Sequence, residues 1–323
     1  MQQVLSLALP FFGLILLGFL CGKLVRYPEA GLQWMNFFIV YIALPCLFFK
    51  LVLAAPFEQL SNWRFVIATT AATGLMFVLA FSVGMVATKG NIRASAVQAV
   101  AGAYANIGYM GPGLTLAALG PNAVVPTALI FVFDNMLHFS AIPFLMAVGS
   151  KSSLNFGQTV LYVVKRVVSH PFNISIAAAV LAASVGFQPP QALDTILIYL
   201  KNAAAPCALF TLGVTVALRP FQGTSPELPW LLAIKLVLHP IAAWIIVSAI
   251  GDFGREWTLT AVLMAALPPA LNVFVIANQY NVYVERASSA ILAGTTLSVF
   301  TVTGLLYLIA ENHLPYRFPL FLP

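Results

Sequence analysis

Charge is scarce in this sequence. Asp, Glu, Lys and Arg make up 7% of its 323 residues, against 61% hydrophobic. Soluble proteins carry roughly 25% charged residues, so this chain could not cover a water-facing surface. Cysteine is also rare. Cys21, Cys46 and Cys207 all lie in apolar runs and offer neither a disulfide framework nor metal-ligand spacing. No His-Glu-x-x-His and no Asp cluster is present, which argues against zinc proteolysis or Mg²⁺-dependent lipid-phosphate chemistry. No G-x-x-x-x-G-K-[ST] loop cradles a nucleotide. An enzyme, a resident metal and a cofactor are therefore not expected. The +6 net charge is spread over short loops, so nucleic acid is not an expected partner. Met1-Gln2-Gln3-Val4 lacks a basic region, so the first apolar run reads as a retained helix rather than a cleaved signal.

What is present is a series of apolar runs near 20 residues, each able to span a hydrocarbon layer of ~30 Å. The fold class expected is an all-α polytopic membrane protein. A β-barrel would instead alternate apolar and polar residues over about ten positions. Ten spans are expected, at 4–22, 32–54, 64–88, 93–118, 122–148, 164–186, 190–218, 227–250, 257–282 and 285–310. Turn residues punctuate the connections, among them Tyr27-Pro28, Gly90-Asn91, Gly120-Pro121-Asn122, Gln188-Pro189-Pro190 and Gly251-Asp252. One set of alternate loops holds Lys23, Arg26, Lys89, Arg93, Lys151, Lys165, Arg166, Arg219 and Arg286, and the other only Arg64, Arg255 and Arg317. The first set should be cytoplasmic, which places both termini outside.

An internal repeat shows at an offset of 161, where Pro10-Phe11 matches Pro171-Phe172 and Ala43-Leu44-Pro45-Cys46-Leu47-Phe48-Phe49 matches Ala204-Ala205-Pro206-Cys207-Ala208-Leu209-Phe210. At an offset of 162, Arg93 matches Arg255 and Ala99-Val100 matches Ala261-Val262. The halves are 1–150 and 151–323, joined by a linker at 149–157. Five spans per half is an odd number, so the halves must be inverted in the membrane. Two spans at matching positions are interrupted, span four at Asn106-Ile107-Gly108-Tyr109-Met110-Gly111-Pro112 and span nine at Pro268-Pro269-Ala270-Leu271-Asn272. Proline removes a backbone donor and clashes with the carbonyl one turn earlier. Inside a membrane such freed groups persist only against protein or a watery cavity. Paired interruptions in inverted repeats point to a transporter site. The second half-helices, expected to begin near Gly113 and Ala270, would present NH groups and a positive dipole end to an anion. Asn106 and Asn272 add amides. The alternative for each interruption is a simple proline kink.

These residues carry a family resemblance. Arg93-Ala94-Ser95-Ala96-Val97-Gln98-Ala99, Ala105-Asn106-Ile107-Gly108-Tyr109-Met110-Gly111, the Asp134-Asn135 pair, Tyr41-Ile42-Ala43-Leu44-Pro45 and Pro268-Pro269 together resemble the auxin efflux carrier family. The resemblance implies ten helices in two inverted five-helix repeats, with broken helices 4 and 9 crossing. It also implies a scaffold of helices 1, 2, 6 and 7, a moving bundle of helices 3, 4, 5, 8, 9 and 10, and elevator-like transport of organic anions. This chain lacks the long central loop of the plant exporters and an acidic residue in Thr69-Thr70-Ala71-Ala72-Thr73. Auxin is therefore not carried over as substrate.

The expected function is secondary active transport of small organic anions such as mono- or dicarboxylates. The alternative is a solute-gated channel or sensor that binds the same anions. The expected setting is a bacterial inner membrane, with a homodimer through the scaffold helices. Asn106, Gly111, Pro112, Pro268, Pro269, Asn272, Pro45 and Thr211 are the candidate solute-site residues. Asp134, Asn135, His138, Lys201, Lys235 and His239 form a candidate coupling or charge network, because intramembrane polar groups are costly and functional by default. Asp134 and His138, like Lys235 and His239, are four apart and share a helix face. A pairing of Asp134 with Lys235 would reduce the cost of burying both; the alternatives are a static lock of the bundle or proton coupling through Asp134 or a nearby His. Asp194 lies two turns from Lys201 and is a candidate partner for it. Lys50 is expected to snorkel to the interface.

Overall fold

The computed structural model describes residues 2–25, 29–54, 57–150, 157, 161, 164, 165, 168–218 and 225–321. Arg26, Lys151, Arg166 and Arg219 of the orientation argument lie outside these residues, as do Tyr27-Pro28 and positions 151–156 of the linker. Twelve helices follow one another in the described chain. They are α1 (Gln2–Val25), α2 (Ala30–Leu53), α3 (Trp63–Ala87), α4 (Ile92–Ala103), α5 (Gly111–Leu119), α6 (Pro121–Gly149), α7 (Pro171–Ser184), α8 (Gln191–Leu218), α9 (Leu228–Ile250), α10 (Arg255–Ala266), α11 (Asn272–Tyr280) and α12 (Val284–Ala310). Among the described residues no β-strand occurs, and the one β-bridge joins Ala105 to Pro269.

Six helices, α2, α3, α6, α8, α9 and α12, are long and apolar enough to cross a membrane. Apolar stretches in α1 (Leu9–Val25) and α7 (Pro171–Ser184) are shorter. Large apolar side chains such as Leu24, Trp34, Val86 and Phe300 face outward. Thr, Ser, Gln, Asn, Asp, Lys and His side chains are buried inside. That inverts the distribution of a water-soluble protein and is what an apolar solvent selects.

Local sequence sets the helix boundaries. Asn62 and Asn91 cap α3 and α4, their side-chain oxygens accepting from Phe65 N at 3.2 Å and Ala94 N at 3.1 Å. Proline shapes α2 and α9. The missing N–H and the ring of Pro45 and Pro240 disturb the turn before them, and each is preceded by a widened π turn, Ile39–Ala43 and Ile234–Leu238.

The helices sort into two packed groups. In the first, α1 lies along α8, and α2 packs on both α7 and α8. Gly213 permits the close α1–α8 approach, since a Cβ there would sit 2.0 Å from the Ile15 carbonyl oxygen. In the second, α3 packs on α4, α6 and α9, and α9 on α10. Arg93 and Arg255, which matched in the repeat register, both hold a distant helix end. Arg93 donates to the Tyr280 carbonyl at 3.1 Å, and Arg255 to the Ile309 carbonyl at 3.1 Å.

Candidate functional site

Helix α4 stops because Tyr104 adopts an extended conformation, and α10 stops because Leu267 does the same ahead of two prolines. The chain then runs without helix through 104–110 and 267–271 before α5 and α11 begin. These two segments meet. Asn106 N donates to the Pro268 carbonyl at 2.8 Å, and Ala270 N donates to the Tyr104 carbonyl at 2.9 Å. The segments thus satisfy each other's backbone groups, as an apolar surrounding requires. Neither Pro268 nor Pro269 can donate, so the double proline presents acceptors and takes its donors from elsewhere. Gly294 of α12 makes room, because a Cβ there would lie 2.5 Å from the Pro269 ring.

A cavity of about 60 Å³ lies against this crossing, lined by residues 104–109 and 270–272 together with Val40, Phe131, Asn135, His170 and Phe172. Asn106 is 1% exposed; its side-chain oxygen accepts from Tyr109 N at 3.4 Å, while its amide nitrogen has no hydrogen-bond partner among the described residues. Tyr104 ties three helices together. Its hydroxyl donates to Asn135 Oδ1 on α6 and accepts from Asn272 Nδ2 at 2.9 Å at the start of α11. Its ring stacks on His138 at 4.3 Å between centroids. A wider vestibule of about 310 Å³ adjoins the cavity and shares Val40, His170 and Asn272 with it.

Behind the cavity a buried polar chain runs from α9 to α6. Lys235 Nζ donates to the Ala265 carbonyl, in the last turn of α10, at 2.5 Å and lies 3.1 Å from His239 Nδ1. His239 Nε2 lies 3.2 Å from Thr73 Oγ1, which donates to Asp134 Oδ2 at 3.1 Å. With Asp134 as a carboxylate the polarity of the chain is fixed. The carboxylate can only accept, so Thr73 donates to it and accepts from His239 Nε2–H, leaving His239 Nδ1 to accept from Lys235. His138 Nδ1 lies 2.7 Å from the Asp134 carbonyl oxygen, which can only accept, so this nitrogen carries the proton.

Most of the residues singled out in the sequence therefore meet around one crossing, with some corrections. Asn106, Asn135 and Asn272 line the cavity. Pro268 and Pro269 shape it through backbone, and Gly111 and Pro112 open α5 just beyond it. Helices α5 and α11 begin at Gly111 and Asn272, each within two residues of the expected Gly113 and Ala270. Asp134 and Lys235 connect through Thr73 and His239 instead of touching, because Lys235 is drawn to the end of α10. Pro45 and Thr211 are not among the lining residues. The Pro45 carbonyl accepts from Ser175 of α7, and Thr211 is fully buried in the first packing group. Lys50 pairs with Asp194 at 2.5 Å. That occupies the carboxylate expected for Lys201, which is half-buried and outside the cavity lining. Tyr104, Thr73 and His170 were not singled out, and each joins helices in a way that spacing along one helix does not display.

A sequence model of the family described as "Membrane transport protein" matches residues 3–306. A "Putative malonate transporter" of Rhizobium meliloti (strain 1021) is 48% identical over 315 residues, 98% of both chains. An "Uncharacterized transporter" of Escherichia coli (strain K12) is 25% identical over 93% of this chain and 95% of its own. Another, from Methanothermobacter thermautotrophicus, is 25% identical over 90% and 93%. The apolar helices and these matches agree on a multi-pass membrane protein, and the chain belongs to the membrane transport protein family, the auxin efflux carrier-like group that its motifs resemble.

Proposed function

We propose that this protein is a secondary active transporter of small organic anions that holds its solute where segments 104–110 and 267–271 cross. The observation that carries this reading is Asn106. It places a buried, unpartnered amide nitrogen at a cavity flanked by the starts of α5 and α11. Helix starts carry positive partial charge, and an amide nitrogen can only donate. Among the described residues, no Asp or Glu lines the cavity to repel an anion.

The wider architecture we propose is ten spans in two inverted repeats, with α4–α5 and α10–α11 as the two broken helices. Supporting this, the α4 helix of 12 residues rises only about 18 Å, so crossing ~30 Å requires α5 as well. The packing of α1, α2, α7 and α8 as one group supports a scaffold, with the remaining helices as a bundle that moves past it. Both termini are proposed outside a bacterial inner membrane, with a homodimer through the scaffold. In the buried chain, Asp134 serves as the proton acceptor for coupling, reached through Thr73 and His239. The name of the Rhizobium relative makes malonate the first solute to try.

The test is uptake of radiolabelled malonate and other carboxylates into proteoliposomes. Flux above empty liposomes is expected. Binding without flux of any anion would turn the reading to a sensor, and neither binding nor flux would overturn it.

A further inference from the structure

We infer that His170 is the specificity-determining residue that selects dicarboxylates over monocarboxylates, taking the second carboxylate while Asn106 holds the first. This rests on the anion-site reading above and adds to it a residue on the opposite packing group. His170 immediately precedes α7, which packs on α2, whereas Asn106 and Asn272 belong to the crossing. It is one of three residues that line both the inner cavity and the vestibule.

Three observations lead here. The inner cavity, at about 60 Å³, has room for only a few water-sized groups. A solute with one carboxylate beside Asn106 must therefore extend past His170 into the 310 Å³ vestibule. Charge is the second. Among the described residues neither lining contains Lys, Arg, Asp or Glu, and the other titratable side chains facing these spaces are Tyr41 of α2 and Tyr104 and Tyr109 of the crossing. Phe139 of α6 and Val275 and Ile276 of α11 bring none, and Lys165 is exposed one turn before Ser169 on the stretch leading to His170. Among the described residues, His170 is thus the one lining side chain that can become a cation.

The third is the size of the field that the helices supply. Each helix start is equivalent to about half a positive charge. The starts of α5 and α11 together offset roughly one negative charge, enough for a monocarboxylate. A dianion brings a second, and imidazolium is the group placed to meet it. The Phe139 and Phe172 rings, 5.6 and 4.8 Å from the His170 ring, hold the imidazole between them. A dicarboxylate bound this way has a charged contact on each packing group, whereas a monocarboxylate has its charged contact on only one.

Purified protein in detergent is titrated calorimetrically with malonate and with propionate, for the native chain, His170→Gln and His170→Lys, each first checked for a monodisperse elution profile. The native chain is expected to favour malonate by at least tenfold. His170→Gln should weaken malonate at least tenfold and propionate less than threefold, and His170→Lys should keep the malonate preference. An equal loss for both solutes in His170→Gln, or an unchanged malonate preference, overturns the role of His170 alone. A native chain that binds neither solute overturns the anion site itself and this inference with it.

Discussion

The two interruptions that cross at the centre of the molecule do different work. Segment 104–110 contains no proline, and its side chains carry the polar chemistry: Tyr104 bonds Asn135 and Asn272, and Asn106 faces the cavity. Segment 267–271 contains two prolines and contributes mainly backbone, the Pro268 carbonyl and the Ala270 N–H. Under the proposed function, one is a reader of the solute and the other a template. A helix broken by proline needs no side chain to stay broken. Segment 104–110, without proline, has Asn106 N and the Tyr104 carbonyl paired across the crossing instead of within a helix.

That comparison can be broken first at the template. Replacing Pro268 and Pro269 together by Ala restores two donors and removes the clash with the preceding turn. It should let α10 run on toward α11 and abolish measurable malonate binding; retained binding would show that the template is dispensable. The next largest effect is expected at Lys235→Met. This strands the Ala265 carbonyl and His239 Nδ1, and each unmet buried group costs about 1–3 kcal/mol. The apparent Tm should fall by several degrees, and an unchanged Tm would mean that the end of α10 is held by other contacts.

A smaller effect separates the two asparagines. One N–H of the Asn272 amide is already engaged by Tyr104, so Asn272→Ala loses positioning together with a single remaining donor. The expected cost is about 1 kcal/mol, roughly fivefold in malonate affinity, measured by calorimetry. A loss as large as that of Asn106→Ala would make the two segments equivalent readers.

The smallest effect lies away from the crossing. Burial pushes the Glu227 carboxyl upward, but hydrogen bonds from Tyr283 and Ser225 and the Arg286 charge outweigh it and hold the carboxyl below the ordinary carboxylate range. A lowered folded-state value stabilises above the ordinary pKa, and that stabilisation is lost as pH falls through the folded value. Tyr283→Phe should therefore shift the acid limb of the stability profile to higher pH, with no change in malonate affinity at neutral pH. An unmoved acid limb would remove Glu227 from the account.

Legibility in the sequence followed the physics of each feature. Pro268-Pro269 and the glycines around Asn106 announced interruptions because their effect on a helix is local. Asp134 with His138, and Lys235 with His239, were legible because four residues make one turn. Thr73 was not, since a threonine in an apolar helix ordinarily bonds its own backbone, and only the fold puts α3 between α6 and α9. Tyr104 read as one more aromatic in an apolar run. Lys50 and Asp194, 144 residues apart, each had a closer apparent role. Pro45 and Thr211 had matching or suggestive positions, but position along a helix does not say which neighbour that helix face meets.

The central claim is that the Asn106 amide reads a carboxylate at the crossing. It is tested most directly by malonate titration of Asn106→Ala beside the native chain, with both proteins verified as folded. A hydrogen bond to a charged group contributes about 1.5–3 kcal/mol, so affinity should fall by roughly ten- to a hundredfold. Native-like affinity in a folded Asn106→Ala protein would contradict the account.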